Sequence, residues 1–598
     1  MEKQRTRDEV LEQDKWDLSK IFKTEQEFLD AKENVKKLLD KVVGFKGKIL
    51  DSSDTLYDFY KADEELTRES GKVYMYAKLL SDSDTKNNKN KALSMQVDKM
   101  FDDIFDKTSF IRPEMLSKDY ELVLKYIKEN EKLKEYAHLL ENKYRYKEHV
   151  LNENEEKIIA LAANAFGTGH DVFYNFDNAD INLGIIHDED GNEVELTNSN
   201  YIKYMNSRNR DVRIDAFNHM YNYFKSFKNT LAASYTGQIK ENFFMSKVKK
   251  YENPLAESLF SDAIDKKVYQ TLINTIHNKM YAMYEYMELR KKALGYDELH
   301  MYDVYVDIIN AKEKNIPFDE GKKIVFNALK PLGEQYLKDL QKAFDERWID
   351  KYPSQGKKSG AYSWGVYDTY PYLLLNYDNT IDSVSTMAHE LGHSMHSYYS
   401  IKNQNCYNSE YPIFLAEIAS TVNEVLLNNY LYKNAETKEE KILYLVEFLD
   451  KVRTTIYRQT MFAEFEMIIH NKYDEGVSLT SDMLCDTYYE LNKLYYGPNV
   501  ISDDLIRYEW SRIPHFYSSF YVYKYATGLS AAISIASDIL DEKEGAQQAY
   551  LEFLSSGGSD YPLNILKKVD VDMTNEKPIL KAIKMFEDKL SELKELID

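Results

Sequence analysis

The amino-acid sequence predicts a mainly α-helical protein, for three reasons. Residues that break helices are scarce, with only 21 glycines and 11 prolines among 598 residues. Apolar residues recur at spacings of three and four over long stretches, which is the period of a helix that buries one face. The hydrophobic fraction of 43% and the charged fraction of 30% fit a helical globular chain. A chain of this length also predicts two or more lobes.

The first half of the chain is expected to contain helices with one β-hairpin between them. Helical periodicity begins after Trp16 and continues to about residue 180. Residues 180–197 differ, because two short apolar runs flank the turn sequence Asp-Gly-Asn at 190–192. Helical periodicity then resumes. We therefore predict a domain boundary near residue 200, with residues 1–200 as an N-terminal helical domain and 201–598 as a second domain.

The best strand signal of the chain lies in its second half. Long helices are expected from 201 to about 350, and a Gly-rich break follows. Residues 361–365 and 372–377 are rich in aromatic and aliphatic side chains, which predicts two short strands. A helix is expected over 384–399, with Asp382-Ser383 as its N-cap. The sequence therefore predicts a small β-sheet directly before that helix.

Charge and cysteine content limit the partners and the compartment. The formal charge of -22 argues against nucleic acid or an anionic membrane surface as the main partner. The chain has two cysteines, Cys406 and Cys485, which favours a reducing compartment over a disulfide framework. The charged amino terminus does not resemble a signal peptide, and no apolar run is long enough to span a membrane. We expect a cytoplasmic protein, and the sequence leaves its oligomeric state open.

Residues 389–393, His-Glu-Leu-Gly-His, are the most informative segment. Two histidines four residues apart project from the same face of a helix, so His389 and His393 can bind one metal ion. Glu390 then lies beside that metal, where it can accept a proton from water. The segment is short and occurs by chance in long proteins. It predicts a hydrolytic zinc site only if it is helical and if a third ligand follows.

Two common continuations of this motif are absent. The metzincin pattern requires glycine at position 396 and histidine at 399, where this chain has His396 and Tyr399. Thermolysin-like sites have a glutamate about 19–20 residues after the second histidine, where this chain has Pro412 and Ile413. We expect His396 to be a structural histidine or a partner of a ligand, because a fourth protein ligand would close the site to water.

Glu417 is the preferred third ligand. It lies on the next predicted helix, which begins near Pro412 and combines an apolar stripe with a polar stripe. A polar stripe by itself indicates a solvated helix face, but this helix directly follows a two-histidine motif. Glu410 and Glu424 remain the alternatives, and Glu424 could instead orient a histidine ring.

A distal aromatic segment, residues 512–528, contains His515 and several tyrosines. Attack of water on an amide carbonyl builds negative charge on oxygen, which imidazole or phenol donors stabilise. Tyrosine is abundant in this chain, and an aromatic stripe usually belongs to a core. Composition alone therefore gives this segment only a weak functional signal.

Taken together, these motifs resemble the oligoendopeptidase F branch of the thimet oligopeptidase family of zinc metallopeptidases, over nearly the whole chain. The segments that match are Arg5 with Asp8-Glu9, Trp16-Asp17-Leu18, Asn253-Pro254-Leu255-Ala256-Glu257-Ser258-Leu259-Phe260, Ser359-Gly360-Ala361-Tyr362-Ser363, Ala388-His389-Glu390-Leu391-Gly392-His393-Ser394-Met395-His396, Ala416-Glu417-Ile418-Ala419-Ser420-Thr421, Pro514-His515-Phe516-Tyr517 and Phe520-Tyr521-Val522-Tyr523.

The resemblance implies a two-lobed helical fold with a deep substrate channel and one zinc ion. It implies His389, His393 and Glu417 as ligands of that ion and Glu390 as general base. It also implies that His515 and a tyrosine contact the substrate carbonyl. An ungapped match favours Tyr523, whereas counting forward from His515, as in the dipeptidyl carboxypeptidases, favours Tyr525.

The implied function is a zinc endopeptidase that cuts short unfolded peptides, with residues 201–598 as its catalytic domain. The resemblance further implies that one of the strands near 361–365 or 372–377 pairs with extended substrate. Two rival functions remain: a zinc carboxypeptidase of related fold, and a non-catalytic scaffold that has kept the fold. The intact His-Glu-x-x-His segment argues against the scaffold.

Overall fold

The computed structural model describes residues 4–309 and 314–597. Across these residues the secondary structure is predominantly helical, and the strands are only two or three residues long. The prediction of a mainly α-helical fold is confirmed. None of the helices in the described ranges is long and apolar enough to cross a membrane.

The α-helices follow one another along the chain with short connections. The helices of the first 300 residues are α1 (Glu25–Val43), α2 (Ser53–Ser83), α3 (Asn88–Thr108), α4 (Ile111–Leu116), α5 (Tyr120–Glu129), α6 (Ala137–Arg145), α7 (Glu153–Phe166), α8 (Thr168–Asn178), α9 (Asn198–Met205), α10 (Arg210–Ser226), α11 (Lys228–Val248), α12 (Pro254–Ser261), α13 (Lys266–His277) and α14 (Met280–Leu294). The later helices are α15 (Phe318–Ala328), α16 (Glu334–Asp345), α17 (Ile381–Asn403), α18 (Ile413–Lys433), α19 (Lys438–Val452), α20 (Arg458–Asp474), α21 (Ser481–Tyr496), α22 (Tyr523–Leu540), α23 (Ala546–Ser556), α24 (Pro562–Lys567) and α25 (Lys577–Ile597).

The strands form three small sheets. Their bounds are β1 (Ile185–His187), β2 (Glu193–Glu195), β3 (Leu299–His300), β4 (Ile349–Asp350), β5 (Tyr362–Trp364), β6 (Tyr372–Leu374) and β7 (Val500–Ile501). Strands β1 and β2 pair antiparallel, which confirms the predicted hairpin around residues 190–192. Strands β5 and β6 lie within the segments 361–365 and 372–377, so the two predicted strands before the motif helix are confirmed.

Contacts between Cα atoms divide the chain into two compact units, each assembled from three segments. The first comprises Met1–Lys147, Glu313–Tyr430 and Ile535–Asp570. The second comprises Glu148–Lys312, Leu431–Ser534 and Val571–Asp598. The sequence suggested a domain boundary near residue 200. That boundary stays a prediction, because the two compact units are each built from three separate segments and do not test a single division of the chain.

In the first unit, strand β6 is the centre of the three-stranded sheet β4-β6-β5. Its side chains Tyr372 and Leu374 pack in a buried cluster with Trp16, Met75 and Leu79. Strand β5 pairs with β6 on one side only and is therefore an edge strand of this sheet. An edge strand presents backbone N–H and C=O groups that another extended chain can bind.

Helix α17 starts earlier and ends later than the sequence suggested. Thr380 is its N-cap and accepts a hydrogen bond from the Ser383 backbone N–H. The predicted N-cap at Asp382-Ser383 was therefore wrong by two to three residues, since Ser383 also donates its hydroxyl to Asp378 in the preceding turn. The shift does not change which face of the helix carries the two histidines, because their spacing is unaltered.

In the second unit, helix α20 packs near the segment that leads to His515. Glu509 lies on a 3₁₀ segment, Asp504–Arg512, and is buried. Arg458 of α20 donates to Glu509 at 2.7 Å, and Tyr488 of α21 donates to it at 2.5 Å. A second 3₁₀ turn, Pro514–Tyr517, follows and ends shortly before α22.

Candidate metal centre

Helices α17 and α18 approach each other closely at Gly392. A Cβ atom built at this position would lie 2.5 Å from the Ser420 Cα and 2.7 Å from the Ala419 carbonyl oxygen. Both neighbours are backbone atoms, so neither can move aside as a flexible side chain could. Gly392 is therefore required for the helix separation that brings the histidines of α17 next to the carboxylates of α18.

We expect Gly392→Ala to destabilise the protein, because the added methyl group forces α17 and α18 apart. Overpacking of this kind costs about 1–3 kcal/mol, which predicts a melting temperature lower by a few degrees in thermal unfolding. Gly237→Ala is the matched control, since Gly237 lies within helix α11 and a Cβ there has no heavy atom within 4 Å. A Gly392→Ala protein as stable as Gly237→Ala would contradict this explanation.

Asn423 links the same two helices about one turn away from Gly392. It is fully buried on α18, and its amide donates to the Ala388 carbonyl of α17 at 2.9 Å. Sequence reasoning missed this residue. An asparagine on an otherwise apolar helix face could have indicated a buried polar contact, because such groups are almost always hydrogen-bonded.

The structure brings His389, His393 and Glu417 together in the first unit. The Nε2 atoms of the two histidines lie 3.1 Å apart. The Glu417 Oε2 atom lies 3.5 Å from the His389 Nε2 and 3.4 Å from the His393 Nε2. Among the described residues, no other group of three or more histidine, cysteine or carboxylate donors lies close enough together to share a metal ion.

These three separations fit a tetrahedral zinc site. Ligand atoms about 2.1 Å from a tetrahedral zinc ion lie about 3.4 Å from one another. The observed separations of 3.1, 3.4 and 3.5 Å match the edges of such a tetrahedron. Two imidazoles and one carboxylate also form a donor set that zinc prefers in hydrolytic sites, where the fourth position stays open.

Glu424 orients the first histidine. Its Oε1 atom lies 3.3 Å from the His389 Nδ1, on the side of the ring opposite to the donor atom Nε2. Burial is the largest single effect and lowers the pKa of His389, but the hydrogen bond to Glu424 and the charges of the nearby carboxylates together outweigh it, so the pKa is raised overall. A carboxylate that accepts from Nδ1 fixes the tautomer in which Nε2 is the metal-binding atom.

The hydrogen bond from His393 lowers the pKa of Glu417 and outweighs the effect of its partial burial. This shift keeps the carboxylate charged at neutral pH, which is the form that binds a metal.

Glu390 is a buried carboxyl group beside this cluster. Only 7% of the residue is exposed, and its Oε2 atom has no hydrogen-bond partner among the described protein atoms. Burial raises the pKa of Glu390, which brings it closer to neutral pH. A carboxyl group with a raised pKa and one uncommitted oxygen is suited to accept and return a proton.

His396 and Glu410 lie outside the group of donor atoms. The ring of His396 is buried and stacks on Tyr411 with centroids 3.7 Å apart. Burial lowers the pKa of His396 to about 3, so the ring is neutral. Glu410 lies in the segment before α18 and is exposed.

The edge strand β5 lies beside the motif helix. The Ser363 hydroxyl and the Ser394 hydroxyl of α17 are 2.8 Å apart. A cavity of about 670 Å³ borders the strand, and Trp364, Val366, Tyr74 and Phe101 are among its lining residues. The cavity belongs entirely to the first unit.

The structure separates the two candidate tyrosines of the distal segment, which lies in the second unit. The Tyr525 hydroxyl lies 3.3 Å from the His515 Nε2, and the Tyr521 ring packs against Tyr525 with centroids 5.4 Å apart. Tyr523 is fully buried and packs on Tyr269 instead. His515 is therefore grouped with Tyr525 and Tyr521, and Tyr523 contributes to the core.

Comparison with known proteins identifies the family. The model of peptidase family M3 matches residues 203–585, and the model of the oligopeptidase F N-terminal region matches residues 114–182. The chain belongs to peptidase family M3. It is therefore a metalloendopeptidase that hydrolyses peptide bonds, and the resemblance drawn from the sequence motifs is confirmed.

Several proteins of family M3 are similar to this chain over its whole length. The oligopeptidase PepF of Bacillus subtilis is 40% identical and the alignment covers 99% of this chain and 88% of that protein. The group B oligopeptidase PepB of Streptococcus agalactiae is 38% identical, with 99% and 98% covered.

Solved structures agree with this assignment to family M3. A putative peptidase from Chlamydophila abortus has a TM-score of 0.93 at 35% identity, covering 99% of this chain and 100% of that one. The oligoendopeptidase-F of Enterococcus faecium has a TM-score of 0.73 at 34% identity, covering 96% and 99%.

Proposed function

We propose that this protein is a zinc-dependent endopeptidase that cuts internal bonds of short oligopeptides. The observation that supports it best is the set of three donor atoms of His389, His393 and Glu417. Glu390 lies next to His389 on the same turn of α17. The tetrahedral spacing of these atoms favours zinc as the metal. Zinc, when bound, supplies a Lewis acid that polarises the scissile carbonyl and makes water nucleophilic near neutral pH.

Glu390 acts as the general base in this proposal. Its uncommitted Oε2 atom accepts the proton of the attacking water and delivers it to the leaving amine. Burial favours this exchange, because the raised pKa makes the protonated form of the carboxyl group accessible during the reaction. His389 and His393 on the same helix would bind the metal through their Nε2 atoms.

His515 and Tyr525 are proposed to donate hydrogen bonds to the carbonyl oxygen as it becomes negative. Their mutual distance of 3.3 Å supports the pairing, and the family resemblance supports the role. Burial lowers the pKa of His515, so the imidazole is neutral and can donate through one nitrogen. Tyr523 is a weaker candidate than Tyr525, because its side chain is fully buried.

The substrate is proposed to be an extended peptide that pairs with strand β5. Between the two strands that the sequence suggested, only β5 has an unpaired edge, since β6 lies between β4 and β5. The adjacent cavity would receive a peptide side chain. We propose residues 201–598 as the catalytic domain and residues 1–200 as the N-terminal domain.

Internally quenched peptides of about ten residues, blocked at both termini, test the proposed function. We expect the zinc-loaded protein to cleave them and the protein treated with a chelator to leave them intact, with activity restored when zinc is returned. Mass spectrometry of the products then locates the bond that is cut.

The same peptides distinguish the rival functions. Release of residues only from a peptide with a free carboxyl end would indicate a carboxypeptidase. Binding without cleavage of either peptide would indicate a scaffold. Either result would contradict the proposed endopeptidase.

A further inference from the structure

The segment between His515 and Tyr525 contains a backbone conformation that is unusual for its residue. Phe520 has a φ of 58°, in the left-handed region that a side chain with a Cβ rarely adopts. This residue is followed directly by Tyr521, and Tyr525 is the third residue of α22. The direction of the chain at Phe520 therefore decides where these two tyrosines point relative to His515.

A buried glutamate of helix α20 holds this conformation. The Phe520 backbone N–H donates to the Glu466 Oε1 atom at 2.9 Å. Glu466 is fully buried, and its Oε2 atom has no hydrogen-bond partner in the part of the chain that the structure describes. Burial raises the pKa of Glu466 well above its ordinary value, which favours the neutral carboxylic acid over the carboxylate.

One turn further along helix α20, His470 helps to hold Ser519, the residue before Phe520, through Asn242. His470 donates from Nδ1 to the Glu466 carbonyl oxygen at 2.8 Å, which leaves its Nε2 as an acceptor. The Asn242 amide lies 3.2 Å from that Nε2 and donates to the Ser519 hydroxyl at 2.6 Å. The His470 ring also packs against the Phe520 ring, with centroids 4.5 Å apart.

We propose that Glu466 is a positioning residue for peptide hydrolysis, which holds the Phe520 amide and thereby orients Tyr521 and Tyr525 beside His515. The His470–Asn242 pair assists by holding Ser519. Glu466 does not itself touch the substrate in this inference. The inference rests on the proposed function, because the role of His515 and Tyr525 in the reaction is part of it.

The chemistry of the contact explains why an acid is present at a site where no described residue forms an ion pair with it. Phe520 lies in the turn before α22, and its buried N–H needs an acceptor because an unpaired buried N–H is destabilising. A neutral carboxylic acid accepts through one oxygen at a smaller desolvation penalty than a carboxylate. Glutamine at this position would offer the same accepting oxygen, whereas methionine would fill the volume without any acceptor.

Glu466→Met and Glu466→Gln are therefore the decisive variants. With the blocked quenched peptide, we expect Glu466→Met to lower kcat by about 10- to 100-fold, as a displacement of about 1 Å in a catalytic group does, while KM stays within about threefold. Glu466→Gln should stay within about threefold of the wild-type kcat. Hydrogen–deuterium exchange of residues 516–526 should be at least about tenfold faster in Glu466→Met.

Glu464→Met is the matched control. Glu464 lies on the same helix and is also buried, but it accepts from Tyr495 at 2.8 Å and contacts His277 at 2.7 Å. Its replacement should lower the melting temperature without changing kcat per folded molecule or the exchange of residues 516–526. If Glu466→Met does not fold, Asn242→Ala replaces it, and faster exchange of the same residues with a lower kcat is expected.

The outcomes separate this inference from the proposed function. Equal kcat values for Glu466→Met and Glu464→Met, per folded molecule, would overturn the positioning role, as would a loss of kcat without faster exchange of residues 516–526. Unchanged exchange in Asn242→Ala would overturn it where that variant is used. A zinc-loaded wild-type protein that leaves the peptide intact would instead refute the proposed function, and the exchange data would still decide whether Glu466 holds the segment.

Discussion

Replacement of Glu390 by glutamine is expected to abolish peptide hydrolysis while zinc and peptide binding are retained. Glutamine has the shape of glutamate, but its amide cannot accept the proton of the attacking water. The Glu390 Oε2 atom has no hydrogen-bond partner in the described protein, so its replacement breaks no structural contact there. We expect kcat to fall at least about 1000-fold, which corresponds to about 4 kcal/mol of activation free energy.

This prediction is measured with the blocked quenched peptide, together with zinc analysis and peptide binding by calorimetry. Asp382→Asn is the control, because Asp382 is an exposed carboxylate on the same helix, and its kcat should match that of the wild type. Glu390→Gln with more than about a tenth of the wild-type kcat would remove Glu390 as the general base.

The metal-binding face of α17 could be predicted from sequence because it depends on local geometry alone. His389 and His393 are separated by one helical turn, so any helix over these residues places both rings on the same side. The sequence predicted Asp382-Ser383 as the N-cap, whereas the observed N-cap is Thr380. This error did not affect the metal-binding face. The third ligand was harder, because Glu417 is on another helix and the sequence alone left Glu410 and Glu424 open.

Three other features depend on contacts that the sequence does not reveal. The close approach at Gly392 requires knowledge of which helix packs there. The preference for Tyr525 over Tyr523 depends on where α22 begins. The helix begins at Tyr523, and the side chain of Tyr523 is buried in the core. The left-handed Phe520 has no sequence signal, because positive φ values are expected at glycine or asparagine.

The fold class was predictable because it depends on composition and local periodicity, which are spread over the whole chain. The grouping of segments was not, because each compact unit combines three segments that are far apart in sequence. Residues 535–570, for example, pack with the unit that contains the motif helix, and Phe553 of α23 lies 5.3 Å from the His396 ring. Periodicity within a segment cannot indicate such a partner.

Replacement of Glu417 by alanine is expected to reduce the affinity for zinc more than any change outside the three donors. Two imidazoles remain in Glu417→Ala, and they hold zinc weakly without a third protein ligand. Loss of a residue that only orients a ligand lowers metal affinity by about 10- to 100-fold, and this range is what we expect for Glu424→Ala. The reduction for Glu417→Ala should exceed it, because a donor atom itself is lost.

Metal analysis after dialysis and competition with a chromophoric chelator measure both affinities. The fold should persist in Glu417→Ala, because about half of the Glu417 side chain is exposed and its hydrogen bonds are confined to the site and its own helix. Its melting temperature should therefore match that of the metal-free wild type and should not rise when zinc is added. Full zinc occupancy in Glu417→Ala would instead assign the third ligand to Glu410 or Glu424, and the corresponding alanine variant would then lose the metal.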